Sequence, residues 1–355
     1  MSQHKSTLWM QLTQADLVQG DMPQATHADS PWYIKIMLGF SGWLAALCLM
    51  AFVFMGLEAF VSEPGAMLVT GLVMIAASFG LLRASRNEFV EHLALAISLA
   101  GQAWASISFY EFATRNAGTC FFLVGLLQLS LVILMPNFVH RVFSSLIATV
   151  ALSYAFTSWG YPYFFPALMM FLAAWLWLNE FNYPQYLKKI HAAGYGIILA
   201  LIPLKGQSFF GQEMHDWHYL HESEIWLRPW MGEALMGAVA VYVVCKLLQR
   251  HFHSLVQPTA LWVMAGTLLV CAISLEAQGI IASVIILLLG FAISNRVLTG
   301  LGIAALLFYI SAYYYSLDTS LLFKSFSLLA IGLVLLALHW LINRVLPLQA
   351  EADHE

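Results

Sequence analysis

The sequence predicts an all-α fold, a polytopic bundle of about twelve transmembrane helices with the N-terminus and the C-terminus in the cytoplasm. Three observations predict it. Hydrophobic residues make up 61% of the 355 residues and charged residues 10%, with a mean hydropathy of +0.78, whereas a soluble domain carries roughly 25% charge. The apolar residues are gathered into long runs, with nearly all charges in the turns between them. Basic residues are also distributed asymmetrically about those runs, as shown below.

The chain opens with a polar segment, residues 1–35. It lacks the basic start, short apolar core and small-residue cleavage site of a secretory signal, so the first apolar run is expected to be a retained helix. Leu8–Gln19 has helical periodicity and reads as a short surface helix, ended by Gly20-Asp21-Met22-Pro23. Asp29-Ser30-Pro31 is a helix-start signal, and Trp32 and Tyr33 sit where an interfacial aromatic pair belongs. The expected spans are then 36–57, 65–82, 90–110, 118–135, 142–159, 163–178 and 190–204, which together form a first block, 36–204. A loop follows at 205–231. A second block, 232–342, holds spans 232–248, 259–277, 279–294, 297–315 and 321–342, and residues 343–355 form a cytoplasmic tail. The run 190–204 is short, and only a turn at Gly279 divides 259–277 from 279–294. A tilted or re-entrant segment in either place leaves ten or eleven spans.

With the N-terminus inside, the cytoplasmic set is Lys5, Lys35, Arg83, Arg86, Arg141, Lys188, Lys189, Lys246, Arg250, Arg296 and Arg344. The outer set is Arg115, Lys205, Arg228 and Lys324. Eleven of 15 basic residues are thus inside, which follows the positive-inside rule. The net charge of −4 argues against nucleic acid as a partner. Cys48, Cys120, Cys245 and Cys271 lie in or beside apolar runs without metal-ligand spacing and read as packing residues.

Ionisable and polar groups at the span ends are the candidate functional residues, because charge in lipid is costly. Asp318 and Lys324 lie on one side of the membrane, near Tyr314. Glu276 and Gln278 precede Gly279, where a broken helix would make Glu276 an ion or proton site. Tyr110 and Glu111 end the third span on the same outer side, completing the set expected to line a polar cavity. Glu88, Glu91, His92, Arg83 and Arg86 form a neutralised inner turn, and Gln102, deeper in the same span, is expected to bond a neighbouring helix. His215, His218 and His221 recur every three residues in the outer loop. They are the weak metal option, since three imidazoles from one straight helix converge poorly on zinc. A pH-sensitive loop and plain interfacial packing are the other readings. Small residues at Ala192, Ala193, Gly194, Gly196 and Ala200, and at Gly232, Ala234, Gly237, Ala238 and Ala240, make two close-contact faces.

No Gly-x-Ser-x-Gly, P-loop or GxGxxG motif occurs, so neither a catalytic residue nor a cofactor is assigned and an enzyme is disfavoured. Leu81–Ala96 and Phe291–Ala305 both pass from one span to the next through a turn containing arginine and asparagine, an internal similarity of the kind transporters carry. The function expected is a permease-like transporter of a small solute or ion. The alternatives are an accessory or scaffold subunit of an envelope complex and, third, an enzyme acting on a lipid-linked substrate.

Three stretches resemble a family of uncharacterised bacterial membrane proteins, the DUF4401 and DUF2157 groups: Pro31–Leu47, His92–Trp104 and Phe291–Ala337. The last carries the aromatic triplet Tyr313-Tyr314-Tyr315 followed by Leu321-Leu322-x-Lys324-Ser325. The resemblance implies a multi-pass protein of the bacterial inner membrane in contact with lipid. It also implies a small membrane protein as a partner, because some members occur beside proteins named for a GDYxxLxY motif. Gly20-Asp21-Met22-Pro23 departs from that motif. The resemblance implies no reaction.

Overall fold

Long apolar runs in a chain that must satisfy its own backbone hydrogen bonds become helices, and the computed structural model is all-α throughout its described residues. Those residues are 63–84, 88–210, 229–251, 257–275 and 278–316, with isolated helical positions in the flanking stretches. Ten α-helices follow in order: α1 Pro64–Ala84, α2 Glu88–Phe112, α3 Ala117–Leu134, α4 Phe138–Ser158, α5 Phe164–Leu178, α6 Leu187–Phe210, α7 Pro229–His251, α8 Pro258–Ile273, α9 Ile280–Ala292 and α10 Arg296–Ser316. Two short 3-10 turns, Glu180–Asn182 and Pro184–Tyr186, join α5 to α6.

Seven of the ten (α1, α2, α3, α4, α6, α7 and α10) contain a segment long and apolar enough to cross a membrane. The runs expected as spans 163–178, 259–277 and 279–294 are helices of 15, 16 and 13 residues. At 1.5 Å per residue α8 and α9 extend only about 24 and 20 Å, short of a hydrocarbon core ~30 Å thick. The expected spans 36–57 and 321–342 lie outside the continuously described residues, as do most of the polar head and all of the tail. The run expected at 190–204 is longer than anticipated. Helix α6 continues through Pro203 to Phe210, so Lys205, expected to open the outer loop, lies inside a helix.

Helix ends follow local chemistry. Asn116 Oδ1 accepts the Thr119 amide at 3.0 Å at the start of α3, Asn137 Oδ1 accepts that of His140 at 3.1 Å at the start of α4, and Asn295 Oδ1 accepts that of Leu298 at 3.1 Å at the start of α10. The Asn137 cap starts α4 at Phe138, before the expected position 142.

Packing divides the described helices into a wing, α1 to α4, and a centre. In the wing α1 lies along α2 and α3 along α4, and α4 also packs on α6. The centre is one apolar cluster from α5, α6, α7, α9 and α10, with Met170, Trp177, Ile198, Leu201, Met236, Val243, Ile285 and Leu298 fully or nearly fully buried. The outward faces are also apolar: Trp262 and Leu269 on α8 are 76% and 62% exposed, and Val69 and Val73 on α1 are each 61% exposed. Water does not tolerate such a surface on a monomer; lipid does. The chain is a multi-pass membrane protein.

Candidate functional site: two buried polar centres

The first centre forms where α6 ends, α7 begins and α9 starts. Lys205 Nζ donates to Glu233 Oε1 at 2.9 Å, and the Gly279 amide donates to the same oxygen at 3.2 Å. The Glu233 side chain is 0% exposed and that of Lys205 is 11% exposed. Among the described residues the second carboxylate oxygen, Oε2, has no hydrogen-bond partner. Gly279 can offer its amide because its φ of +84° turns the backbone between α8 and α9, a conformation natural to glycine. The turn is covered by Tyr309 of α10, whose hydroxyl donates to the Ile202 carbonyl on α6 at 2.7 Å. A Cβ at Gly279 would lie 2.6 Å from the Tyr309 ring. Four helices thus hold one ion pair, and a cavity of about 300 Å³ adjoins it between α7 and α8, lined by Glu233, Gly237, Val241, Leu268, Cys271 and their neighbours.

The second centre lies in the wing, on α2, α3 and α4. Gln128 Nε2 donates to Gln102 Oε1 at 2.8 Å, which turns the Gln102 amide nitrogen toward Ser98 Oγ (3.1 Å) and His140 Nε2 (3.3 Å). Ser98 Oγ is 2.8 Å from His140 Nε2, and Ser144 Oγ is 3.1 Å from Nδ1. An amide N–H facing Nε2 fits the tautomer in which Nε2 accepts and Nδ1–H donates to Ser144. All five side chains are buried. The polar stripe continues along α4 through Ser145, Thr149 and Ser153, whose hydroxyls bond main-chain carbonyls.

A smaller cluster closes the opposite end of α6. His191 Nε2 lies 2.7 Å from Glu180 Oε2, and the nearby Tyr195 hydroxyl accepts from Asn295 Nδ2 at 2.6 Å. Arg250 donates to the Leu178 carbonyl that ends α5.

Only some of the residues expected to line a polar cavity are described. Glu276, Asp318 and Lys324 lie outside the described residues, as do His215, His218 and His221. Tyr110 and Glu111 end α2, where Glu111 meets Arg115 at 3.8 Å on the surface. Tyr314, half-buried, stands edge-on to Tyr315 near the end of α10. Helix α2 packs mainly on α1 and α3, and α10 on α9 and α6. Gln278 is half-buried beside Gly279, next to the ion pair. Gln102 bonds a neighbouring helix as expected, through Gln128. Sequence reasoning did not single out Glu233, Gln128 or His140, and it placed Lys205 in the loop. The available signal was opposite charges at the two ends of one loop, each within a turn or two of an apolar run. Among the described residues no group of three or more His, Cys, Asp or Glu side chains could hold a metal ion.

The family model described as "Domain of unknown function (DUF4401)" matches residues 31–345. No curated protein and no solved structure matches the chain.

Proposed function

The chain belongs to the DUF4401 family, and we propose that it is a permease-like carrier of a small solute or ion in the bacterial inner membrane, with Lys205 and Glu233 as its coupling pair. The observation that carries this reading is the fully buried Glu233, bonded to Lys205 and to the backbone of the break between two short helices. An intramembrane ion pair is expensive to keep and is held where charge must be exchanged. Short helices that meet at a break are the usual carriers of such sites in transporters. Release of Lys205 from Glu233 frees a carboxylate to take a proton or cation, and the Gly279 amide couples that event to the α8–α9 turn.

The test is flux in proteoliposomes. Purified protein is reconstituted with a pH-sensitive dye inside, and amino acids, sugars, carboxylates and metal cations are added under an imposed proton gradient. We expect solute-dependent proton movement by the wild type and none by a K205M/E233M double variant, which removes both charges together. Wild-type protein that moves none of these solutes, or a double variant that moves them equally well, refutes the reading.

A further inference from the structure

We propose that the adjoining starts of α4 and α6, around Arg141, bind the phosphate of an anionic phospholipid in the leaflet at the basic end of the bundle. The site lies at the other end of α6 from Lys205 and Glu233, so it stands whether or not the chain is a carrier.

The first observation is Arg141 itself. It is 8% exposed, and its Nε is enclosed without a hydrogen-bond partner. Among the described residues no carboxylate pairs with its guanidinium. Arginine keeps its charge in any protein setting, and a buried charge left unpaired is costly. The guanidinium presents a planar fork of N–H donors that fits two oxygens of one phosphate.

The second observation is where Arg141 stands. Helices α4 and α6 run parallel, because α5 returns between them. They touch closely: Ser145 Oγ donates to the Ala193 carbonyl at 2.8 Å, and a Cβ at Gly196 would lie 2.5 Å from the Val142 carbonyl oxygen. Arg141 precedes Ser145 by four residues, so it shares that face of α4 one turn nearer the basic end, where α6 begins. Neither helix has an acidic residue in its first turn. They carry Arg141 and the pair Lys188-Lys189 there instead. The first amides of a helix lack intrahelical acceptors and its dipole is positive at that end, so these cations stand where the helices repel them. An anion between the two starts removes that conflict. The acids nearby are engaged elsewhere. Glu91 accepts from Asn137 Nδ2 at 3.2 Å on the α2 side, and Glu180 Oε2 lies 2.7 Å from His191 on the α5 side.

The surroundings select a lipid over a free phosphate. Phe138, three residues before Arg141 on the same side of α4, is exposed, as are Leu134 at the end of α3 and Phe181, Tyr183 and Tyr186 in the α5–α6 turn. Lys189 Nζ lies 5.4 Å from the centre of the Tyr186 ring. Aromatics mixed with cations are the composition of a membrane interface, and basic pockets between helices at that level hold lipid head groups. The exposed apolar side chains give acyl chains a surface that inorganic phosphate cannot use.

The test uses purified full-length protein in detergent, titrated with dioleoylphosphatidylglycerol, dioleoylphosphatidylcholine or inorganic phosphate. Binding is read by native mass spectrometry and stability by the melting temperature. We expect phosphatidylglycerol to bind and to raise the melting temperature, phosphatidylcholine to do so weakly, and inorganic phosphate not to displace the lipid. Arg141→Met keeps the packing of the stem and removes the charge, and should weaken phosphatidylglycerol about ten-fold. Arg83→Met, at an exposed cation in the last turn of α1 at the same end, should leave binding unchanged. Without lipid, R141M should melt no lower than the wild type, because it has lost an unpaired buried charge. Equal binding by R141M overturns the site, as does a lipid-free R141M that melts below the wild type, since the guanidinium is then already satisfied. An equal loss in R83M reduces the attraction to diffuse surface charge and overturns a local site. Displacement of the lipid by inorganic phosphate overturns the lipid as its ligand.

Discussion

Lys205 and Glu233 lie 28 residues apart in sequence, yet their side chains meet at 2.9 Å inside the bundle. Removing one partner of a buried pair leaves the other charge uncompensated and costs roughly 3–5 kcal/mol, whereas replacing both with apolar residues of similar volume is nearly neutral. Lys205→Met is therefore expected to lower the detergent melting temperature sharply, and K205M/E233M to recover most of the loss. Thermal unfolding followed by tryptophan fluorescence checks this. A single variant as stable as the wild type would mean that the pair is solvated.

The His140 network predicts a different pattern. Gln128 is bonded to Gln102, and Gln102 in turn faces Ser98 and His140. His140→Leu removes the ring from Ser144, while Ser98 and the Gln102 amide keep their mutual bond at 3.1 Å, and the buried hydroxyl left unpaired costs about 1–3 kcal/mol. Gln128→Leu releases the Gln102 amide to rotate, so the ring nitrogen that accepts from it loses its fixed donor. Nitrogen-15 NMR of the imidazole should show one dominant tautomer, protonated at Nδ1, in the wild type and a mixture in Q128L. An unchanged tautomer ratio in Q128L would separate Gln128 from control of the ring.

The membrane-helix class was legible because it follows from composition and from long apolar runs, properties that local sequence carries, and the family was legible from three particular stretches, above all Phe291–Ala337 with its tyrosine triplet. The pairing of Lys205 with Glu233 was not. It depends on α6 running through Pro203 to Phe210, past the end expected at 204, and on two helices closing over a loop. Gln102 was legible as a group that bonds a neighbouring helix because a carboxamide deep in an apolar run must find a partner. Its actual partners, on α3 and α4, are tertiary facts. The similarity expected between Leu81–Ala96 and Phe291–Ala305 falls on two hairpins that do share a packing device: in both α1–α2 and α9–α10, glycine brings backbone close to backbone.

In the first of these hairpins the contact is reciprocal. A Cβ at Gly71 would lie 2.6 Å from the Gly101 carbonyl oxygen, and a Cβ at Gly101 would lie 2.6 Å from that of Gly71. The obstacle is backbone on both sides, so no side chain can move away. Gly71→Ala should push α1 off α2 and destabilise by about 1–3 kcal/mol, as overpacking does. Gly80→Ala, on the same helix with nothing within 4 Å of its Cβ, should be neutral or slightly stabilising through helix propensity. Parallel unfolding of the two variants in mild detergent checks the contrast, and equal stability would mean that the contact is looser than the geometry requires.

Gly279 combines both kinds of constraint. Its φ of +84° lies in the left-handed region, and its Cβ position is filled by the Tyr309 ring at 2.6 Å. For a residue with a side chain the backbone conformation alone costs roughly 1–2 kcal/mol, and the clash adds to it. Gly279→Ala is expected to destabilise more than Gly71→Ala. It should also shift the Gly279 amide, which supports Glu233 Oε1 at 3.2 Å. Adding Tyr309→Leu opens the space above position 279 but leaves the backbone strain and removes the hydroxyl bond to Ile202, so the double variant should recover only part of the loss. Full recovery would assign the whole effect to the ring clash. No recovery would assign it to φ, and a double-mutant cycle on melting temperatures distinguishes the two.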